Sequence, residues 1–256
     1  MTQEEKATLE TAMFKLEPTL ECKGDGHGGP GLSSGGPTPR AADLPNGRRA
    51  KNIIYDMCDY CVQCVELYTE VTGQSTFRKA STPFLPDGSL VHADEDVRGA
   101  LAPNACKLVM KAMWLARVAR PDIYKCINDL AKHMVKWSKN DDRRCYRLFC
   151  YLHTTQDWCL CGSVGDDGDT LALRLYTDAD FVGDPEDSYS TSGGYLCLSG
   201  PHTCVPLMWL CKKQTSTSRS TTEAEIVSVA ASLFSEAIPQ QGLWSQLLGR
   251  QVNCLL

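Results

Sequence analysis

The sequence lacks the features of a secreted or membrane-spanning protein. Its first ten residues, MTQEEKATLE, do not have the basic and then apolar profile of a secretory signal. No apolar run approaches the roughly 20 residues that a membrane-spanning helix requires. We therefore expect a cytoplasmic or nuclear protein that has no membrane partner and keeps its 14 cysteines reduced.

The sequence also lacks a second cysteine pair that would complete a zinc motif. Cys58, Cys61 and Cys64 are spaced C-x-x-C-x-x-C, which by itself suggests a metal or cluster site. However, no further CxxC or CxxH pair follows at zinc-ribbon distance, and this spacing places the three along one side of a helix. We interpret them, together with Cys159 and Cys161, as small apolar packing residues.

Composition divides the chain into three regions. Residues 23–49 hold 8 Gly and 4 Pro in 27 positions. A segment of this composition has too little apolar surface to bury for it to fold. We therefore predict a disordered tail over residues 1–51. Residues 52–160 are predicted to be mainly helical, and residues 161–256 to form a sheet followed by a helix. At 43% hydrophobic, the 256 residues can bury one good core and a second small one.

Helical spacing of apolar residues is clearest in the middle region. Residues 52–72 are predicted to form one helix and residues 76–105 irregular chain. A further helix is predicted to begin near Pro121, and another to be capped by Asn140 or Asp141. The apolar face of this last helix is formed by Cys145, Leu148, Phe149 and Leu152.

Charge is unevenly distributed along the chain. Residues 103–155 contain eleven Lys and Arg against four Asp, whereas residues 156–190 contain nine Asp and Glu against Arg174 alone. A basic helical stretch before an acidic strand region suits a protein that holds a polyanion and a metal. A solvated charged surface gives the same counts, so both interpretations remain open. The candidate phosphate contacts on the helices are Arg143, Arg144 and Arg147.

Two aspartates stand close together at the end of a predicted strand, within LRLYTDADFVGD. Leu171, Leu173 and Leu175 alternate with other residues, which indicates a strand with one apolar face. Asp178 and Asp180 then point to the same side of that strand. Carboxylates this close repel each other unless a cation or a shared proton relieves the repulsion. The pair indicates a metal site or, alternatively, a polar strand end.

The residues after this strand predict a hairpin and then a helix. Gly193 and Gly194 in GDPEDSYSTSGG indicate a sharp reversal. The sequence YLCLSGPHTCVPLMWLC is typical of two strands joined around residues 199–201. Ser220 and Glu223 form the capping-box pattern S-x-x-E, which predicts the start of a helix that continues through EAEIVSVAASLF.

Four motifs in this order resemble a known family: YTDAD, STSGG, KKQ and TEAE. Together with ARPDIYKCINDLAKHM and YRLFCYLHTTQDWCL upstream, they are similar to the C-terminal part of the Pol polyprotein of copia-type LTR retrotransposons. The resemblance spans roughly residues 52–250. It implies an α/β (α+β) fold, with a ribonuclease H-like mixed sheet that is C-terminally incomplete and follows helices like those of the reverse transcriptase thumb and connection.

The resemblance also implies a site and a substrate. Carboxylates would hold divalent metals at the scissile phosphate of the RNA strand in an RNA/DNA hybrid. Asp178 is implied to be the strand ligand and Glu225 the helix ligand. Asp180 would be a carboxylate next to the ligands, and Glu223 would serve the helix cap. The implied metal is Mg²⁺, with Mn²⁺ as a substitute. Recognition of the hybrid would use its backbone shape and 2′-hydroxyls, and the candidate phosphate contacts are Lys212, Lys213 and Arg219.

The chain departs from the family pattern in its supply of carboxylates. After Glu225 only Glu236 remains, whereas the family has further carboxylates on a later strand and in a following helix. Pro239 interrupts the predicted helix, and no YxDD polymerase motif is present. We expect a Pol fragment that is inactive alone and works with the remainder of the polyprotein. The alternative is a non-catalytic retrotransposon relic that at most binds nucleic acid.

Overall fold

The structure, a computed structural model, describes four stretches of the chain: 31–33, 49–86, 88–182 and 188–256. These residues divide into two compact units. The helical unit comprises residues 55–159, and the sheet unit comprises the described residues before and after that range. Of the predicted tail over residues 1–51, only residues 31–33 and 49–51 are described, so most of that prediction lies outside the described residues.

The helical unit is built from four α-helices in its described residues. They are α1 (Cys58–Thr72), α2 (Ala105–Val118), α3 (Tyr124–Lys132) and α4 (Lys139–Thr154). Their apolar faces enclose one core, in which Leu108, Leu115, Ile127 and Leu148 are fully buried. Tyr68 of α1 stacks on Phe149 of α4 with 4.5 Å between the ring centroids. The core therefore joins helices that are far apart in the sequence.

The sequence predictions for this unit were right about the helical class and wrong about the start of one helix, the existence of a second and the cap of a third. The predicted helix over residues 52–72 begins later, because Lys51–Tyr55 forms a strand. Helix α2 was missed, although Leu108, Ala112 and Leu115 have helical spacing and are buried. The predicted packing role of Cys61 and Cys64 is confirmed, since both are buried in the core.

The cap of α4 is also different from the prediction. Ser138, and neither Asn140 nor Asp141, is the N-cap. Its hydroxyl accepts a hydrogen bond from the Asp141 backbone N–H, and the Asp141 carboxylate accepts one from the Ser138 N–H. This reciprocal capping box satisfies two N–H groups that the helix cannot bond internally, so the helix begins at Lys139.

The sheet contains seven strands in the described residues. They are β1 (Gly31–Ser33), β2 (Lys51–Tyr55), β3 (Cys159–Val164), β4 (Ala172–Asp180), β5 (Thr191–Gly200), β6 (Thr203–Lys213) and β7 (Cys254–Leu255). The strand order is β1-β3-β6-β5-β4-β7, and β2 also pairs with β3. Strands β3, β6, β5 and β4 are antiparallel neighbours, whereas β7 is parallel to β4. The predicted α/β class with a mixed sheet is confirmed.

One face of the sheet is covered by helices α5 (Thr221–Ser232) and α6 (Ile238–Leu248), which a π-helical turn over Leu233–Ala237 connects. Leu171, Leu173 and Leu175 are buried on this face, as their alternation predicted. Pro239 does not end the helical path, because it lies in the first turn of α6, directly after the π-helical turn, where proline is tolerated. None of the helices in the described ranges is long and apolar enough to cross a membrane.

Gly193 and Gly194 lie within β5, so the predicted reversal at these glycines is wrong. A Cβ atom on Gly194 would come within 2.5 Å of Ser232 Oγ and 3.1 Å of Leu210 Cγ. Glycine is therefore required at position 194 because α5 approaches the sheet closely there. Close approach of a neighbouring element is a common reason for glycine within a strand.

Replacing Gly194 by alanine is expected to lower the free energy of unfolding of the sheet unit by about 1–3 kcal/mol, because the new methyl overlaps Ser232 Oγ. The Ser232 hydroxyl is buried and has no hydrogen-bond partner among the described residues. Ser232→Ala alone should therefore be neutral or stabilising, and it should recover part of the loss in the double variant. Hydrogen exchange of β5 peptides in urea measures both effects. An equal loss in the single and double glycine variants would contradict the steric explanation.

Candidate metal and nucleic-acid site

Residues of the four sequence motifs come together at one end of the sheet. Asp178 of β4 lies opposite Gly193 of β5, which lies opposite Cys211 of β6. Ser228 of α5 is fully buried, and its hydroxyl lies 2.7 Å from the Asp178 carbonyl and 3.2 Å from the Gly193 carbonyl. One hydroxyl therefore holds the helix that carries Glu225 against the strand that carries Asp178.

Gln214 connects three of the motifs. Its side-chain amide donates to Ser192 Oγ at 3.0 Å and to the Ala224 carbonyl at 2.9 Å. Its backbone N–H donates to the Ser190 carbonyl at 2.8 Å. Because Ser192 belongs to STSGG and Ala224 to TEAE, the glutamine of KKQ positions the start of α5 on the sheet. The sequence alone predicts no role for Gln214, because only the side-chain contacts with Ser192 and Ala224 reveal one.

The start of α5 uses the carboxylate of Glu223. Ser220 is the N-cap, as predicted, and its hydroxyl accepts from the Glu223 backbone N–H at 3.2 Å. The Glu223 carboxylate accepts from the backbone N–H of Arg219 at 2.7 Å, one residue before the partner that a capping box requires. Glu223 is therefore part of the helix cap, and Glu225 is the half-buried carboxylate two residues further along α5.

Asp178 and Asp180 lie on the face of the sheet opposite to α5. Side chains alternate along the regular β4 strand, and the face of Leu175 and Thr177 is the one that α5 and α6 cover. Both aspartates are half-buried. Within the described residues, the carboxylates of Asp178, Asp180 and Glu225 do not form a group of three that lies within 4.8 Å.

These carboxylates suit Mg²⁺ in their chemistry and fall short of a complete site in their number. Oxygen donors are the ligands that Mg²⁺ prefers, with water filling the remaining positions. A two-metal hydrolytic site needs several carboxylates around the reacting phosphate. Since the described residues do not gather three of them, they do not by themselves fit the metal centre that hydrolysis of a hybrid requires.

The sheet face that carries Asp178 also carries a row of aromatic rings. Tyr176, Tyr195 and Trp209 are cross-strand neighbours, with centroid distances of 6.5 Å and 6.4 Å. Lys213 shares a register row with Asp180, and its Nζ lies 5.3 Å from the centre of the Tyr189 ring. This row was not predicted from the sequence. Its signal was an aromatic residue in or beside a motif on each of three strands: Tyr176 begins YTDAD, Tyr195 directly follows STSGG, and Trp209 lies three residues before KKQ.

Basic residues predicted to contact phosphates differ in their surroundings. Lys212 and Arg219 are exposed in the sheet unit. The three arginines of α4 instead make contacts within the helical unit: Arg143 with Asp94, Arg144 with Asp141, and Arg147 with Thr82. Lys125 and Lys132 both pair with Asp129. Part of the positive surplus is therefore neutralised internally, and the nucleic-acid role of the arginines stays a prediction.

Comparisons with known proteins give matches to retroelement polyproteins. The chain is 34% identical over 128 residues to the retrovirus-related Pol polyprotein from transposon RE2 of Arabidopsis thaliana, which is 50% of this chain and 8% of that protein. It is 31% identical over 160 residues to the polyprotein from transposon RE1 of the same plant, which is 62% of this chain and 10% of that protein. It is also 33% identical over 141 residues to secreted RxLR effector protein 161 of Plasmopara viticola, covering 55% of this chain and 90% of that protein.

The joined motifs and these matches agree: over about half its length the chain is similar, at 29–34% identity, to retrovirus-related Pol polyproteins from copia-type transposons. It spans no more than about a tenth of the two Arabidopsis polyproteins, at 8% and 10% of their lengths. No protein-family model matches the chain, and no solved structure matches it.

Proposed function

We propose that residues 161–256 are the ribonuclease H-like part of a copia-type Pol polyprotein. In this proposal, Asp178 and Glu225 contribute to a Mg²⁺ or Mn²⁺ site that carboxylates from elsewhere in the polyprotein complete. The observation that carries the proposal is the Ser228 hydroxyl, which lies within hydrogen-bonding distance of the carbonyls of Asp178 and Gly193. This contact fixes α5, which carries Glu225, to the backbone at the end of β4. Because the Asp178 side chain points to the face opposite α5, the proposal requires that the additional carboxylates complete the site at that strand end.

The substrate in this proposal is an RNA/DNA hybrid. Such a duplex presents its phosphates and 2′-hydroxyls, and the protein has no need to read bases. Lys212, Lys213 and Arg219 provide positive charge on the strand and loop next to the motifs, which favours a polyanion there. By itself, the chain binds the hybrid without cleaving it, because two carboxylates from different elements do not make a two-metal site.

The test is a cleavage assay on a labelled RNA/DNA hybrid with Mg²⁺ or Mn²⁺. It compares the chain as given with a fusion that carries, after Leu256, the segment that follows the matched region in the transposon RE1 polyprotein. We expect cleavage from the fusion only. Asp178→Asn and Glu225→Gln should each lower the fusion's rate by more than about 100-fold, whereas the matched control Asp180→Asn, outside the metal's shell, should cost about 10-fold.

Two results would contradict this proposal in different ways. Cleavage by the unextended chain that disappears in Asp178→Asn would show that the site is complete without further carboxylates. A folded fusion that binds the hybrid but does not cleave it would favour the non-catalytic relic. Circular dichroism of each variant confirms that a lost rate is not lost folding.

A further inference from the structure

Two cysteines and an aspartate meet where α1 and β3 begin. Cys58 is the first residue of α1 and Cys159 the first of β3, and their Sγ atoms lie 3.4 Å apart. Asp56 precedes α1, and its Oδ1 lies 3.7 Å from Cys159 Sγ. The three ligand atoms all lie within 4.8 Å of one another, which no other group of three His, Cys, Asp or Glu does in the described part of the chain.

The geometry of this group is held in place by the backbone. Asp56 Oδ1 accepts a hydrogen bond from the Cys58 N–H at 3.0 Å, which turns the carboxylate toward the first turn of α1. Cys159 is buried and Cys58 half-buried. The same backbone hydrogen bond lowers the pKa of Asp56, so the carboxylate is charged at neutral pH. Burial raises the pKa of Cys58 well above its usual range, so its sulfur keeps its proton until a cation replaces it.

We propose that Asp56, Cys58 and Cys159 bind a thiolate-preferring divalent cation, Zn²⁺, with a water molecule in the fourth position. A tetrahedral Zn²⁺ with bonds of about 2.3 Å to sulfur and about 2.0 Å to oxygen requires an S···S separation of about 3.8 Å and an S···O separation of about 3.5 Å. The separations of 3.4 Å and 3.7 Å agree with these values to within about 0.4 Å. Binding releases two thiol protons to solvent as the metal takes their place.

The carboxylate distinguishes a metal site from a disulfide. A disulfide would draw the two Sγ atoms to about 2.05 Å, whereas they lie 3.4 Å apart, with an Asp56 carboxylate oxygen 3.7 Å from Cys159 Sγ. The negative charge of that carboxylate attracts a cation. A metal here would also join two segments 101 residues apart within the helical unit, and closing so long a loop restricts the unfolded chain. This proposal is independent of the proposed nuclease function, since it uses other residues and a softer metal.

The first experiment uses Co²⁺ as a spectroscopic substitute for Zn²⁺ in the full chain, stripped of metal under reducing conditions. We expect one Co²⁺ to bind per chain and to give a thiolate-to-cobalt charge-transfer band. Zn²⁺ should displace the bound Co²⁺, whereas excess Mg²⁺ should leave it in place. Cys58→Ser and Cys159→Ser should each remove the band and weaken Co²⁺ binding by more than about 100-fold. Loss of a residue that only contacts a ligand costs about 10- to 100-fold. The control Cys106→Ser, at an exposed cysteine of α2, should retain both.

A second measurement needs no variant and so does not depend on variant folding. Zn²⁺ should slow the alkylation of Cys58 and Cys159 in the native chain, as read by mass spectrometry, without slowing that of Cys106. Retention of the band in both serine variants would overturn the proposal. It would also be overturned by alkylation rates that Zn²⁺ does not change, or by a Cys58–Cys159 disulfide that forms equally fast with and without Zn²⁺.

Discussion

Asp122→Asn is expected to lower the free energy of unfolding of the helical unit by about 3–5 kcal/mol, because it leaves the Arg120 guanidinium buried without a counter-charge. The two side chains pair at 2.8 Å, and they are only 1% and 3% exposed. Small movements of surface side chains cannot bring water to a charge that is buried this deeply. The loss should therefore approach the upper range for a single substitution.

The surroundings of this pair explain why the effect should spread. Arg120 also donates to the Thr155 carbonyl at 2.9 Å and to the Thr155 hydroxyl at 2.7 Å. The Tyr151 hydroxyl donates to Asp122 at 2.8 Å, and the Tyr151 and Trp158 ring centroids lie 5.5 Å and 5.8 Å from the guanidinium carbon. The pair thus connects the turn before α3 to the C-terminal end of α4.

Two controls separate a buried unpaired charge from loss of a contact. The double variant Arg120→Met, Asp122→Leu removes both charges and should lose less than Asp122→Asn alone. Lys125→Ala breaks a partly exposed pair with Asp129 and should cost about 0–1 kcal/mol. Hydrogen exchange of α4 peptides in urea is the measurement, because a single denaturation midpoint would mix two compact units. A double variant less stable than the single one would contradict this account.

Acidification is expected to remove about 2–3 kcal/mol from the helical unit through Asp141 alone. Its burial raises the pKa, but hydrogen bonds from His133, Ser138 and Arg144 outweigh burial and lower it to about 2. The folded-state pKa therefore lies below the unfolded value of about 3.9. The contribution is fully present above the unfolded value and is lost as the pH falls through about 2.

Asp141→Asn tests the same linkage at constant structure. At pH 7 the variant should be about 2–3 kcal/mol less stable than the native chain, and the difference should shrink between about pH 4 and pH 2 as the native carboxylate gains its proton. Glu66→Gln, at an exposed position of α1, is the control and should change stability by less than about 0.5 kcal/mol. Comparing hydrogen exchange of native and variant at each pH cancels intrinsic rates. A difference that stays constant down to pH 2 would rule out Asp141 as the titrating group.

Local patterns predicted the features that depend on neighbours in sequence. The alternation of Leu171, Leu173 and Leu175 placed them on one buried face of a strand, and the structure confirms it. Ser220 also marked the start of α5 correctly, because the hydrogen bond of an N-cap forms within the first turn of its own helix. The motifs were sufficient to reveal the resemblance to Pol polyproteins, because they are short segments of defined order. Ser138 shows the limit, since several polar residues in a row could each have capped α4.

Contacts between distant segments could not be predicted in this way. Gly194 resembles a turn residue in sequence, and only the approach of Ser232 shows why glycine is needed in β5. Cys58 and Cys159 are 101 residues apart, and nothing local marks them as neighbours. The sequence by itself determined the resemblance to Pol polyproteins, the mixed α/β class and the residue types available for metal binding. Only the tertiary structure decided which carboxylates and sulfurs lie together, because periodicity defines the face on which a side chain lies and not what packs against it.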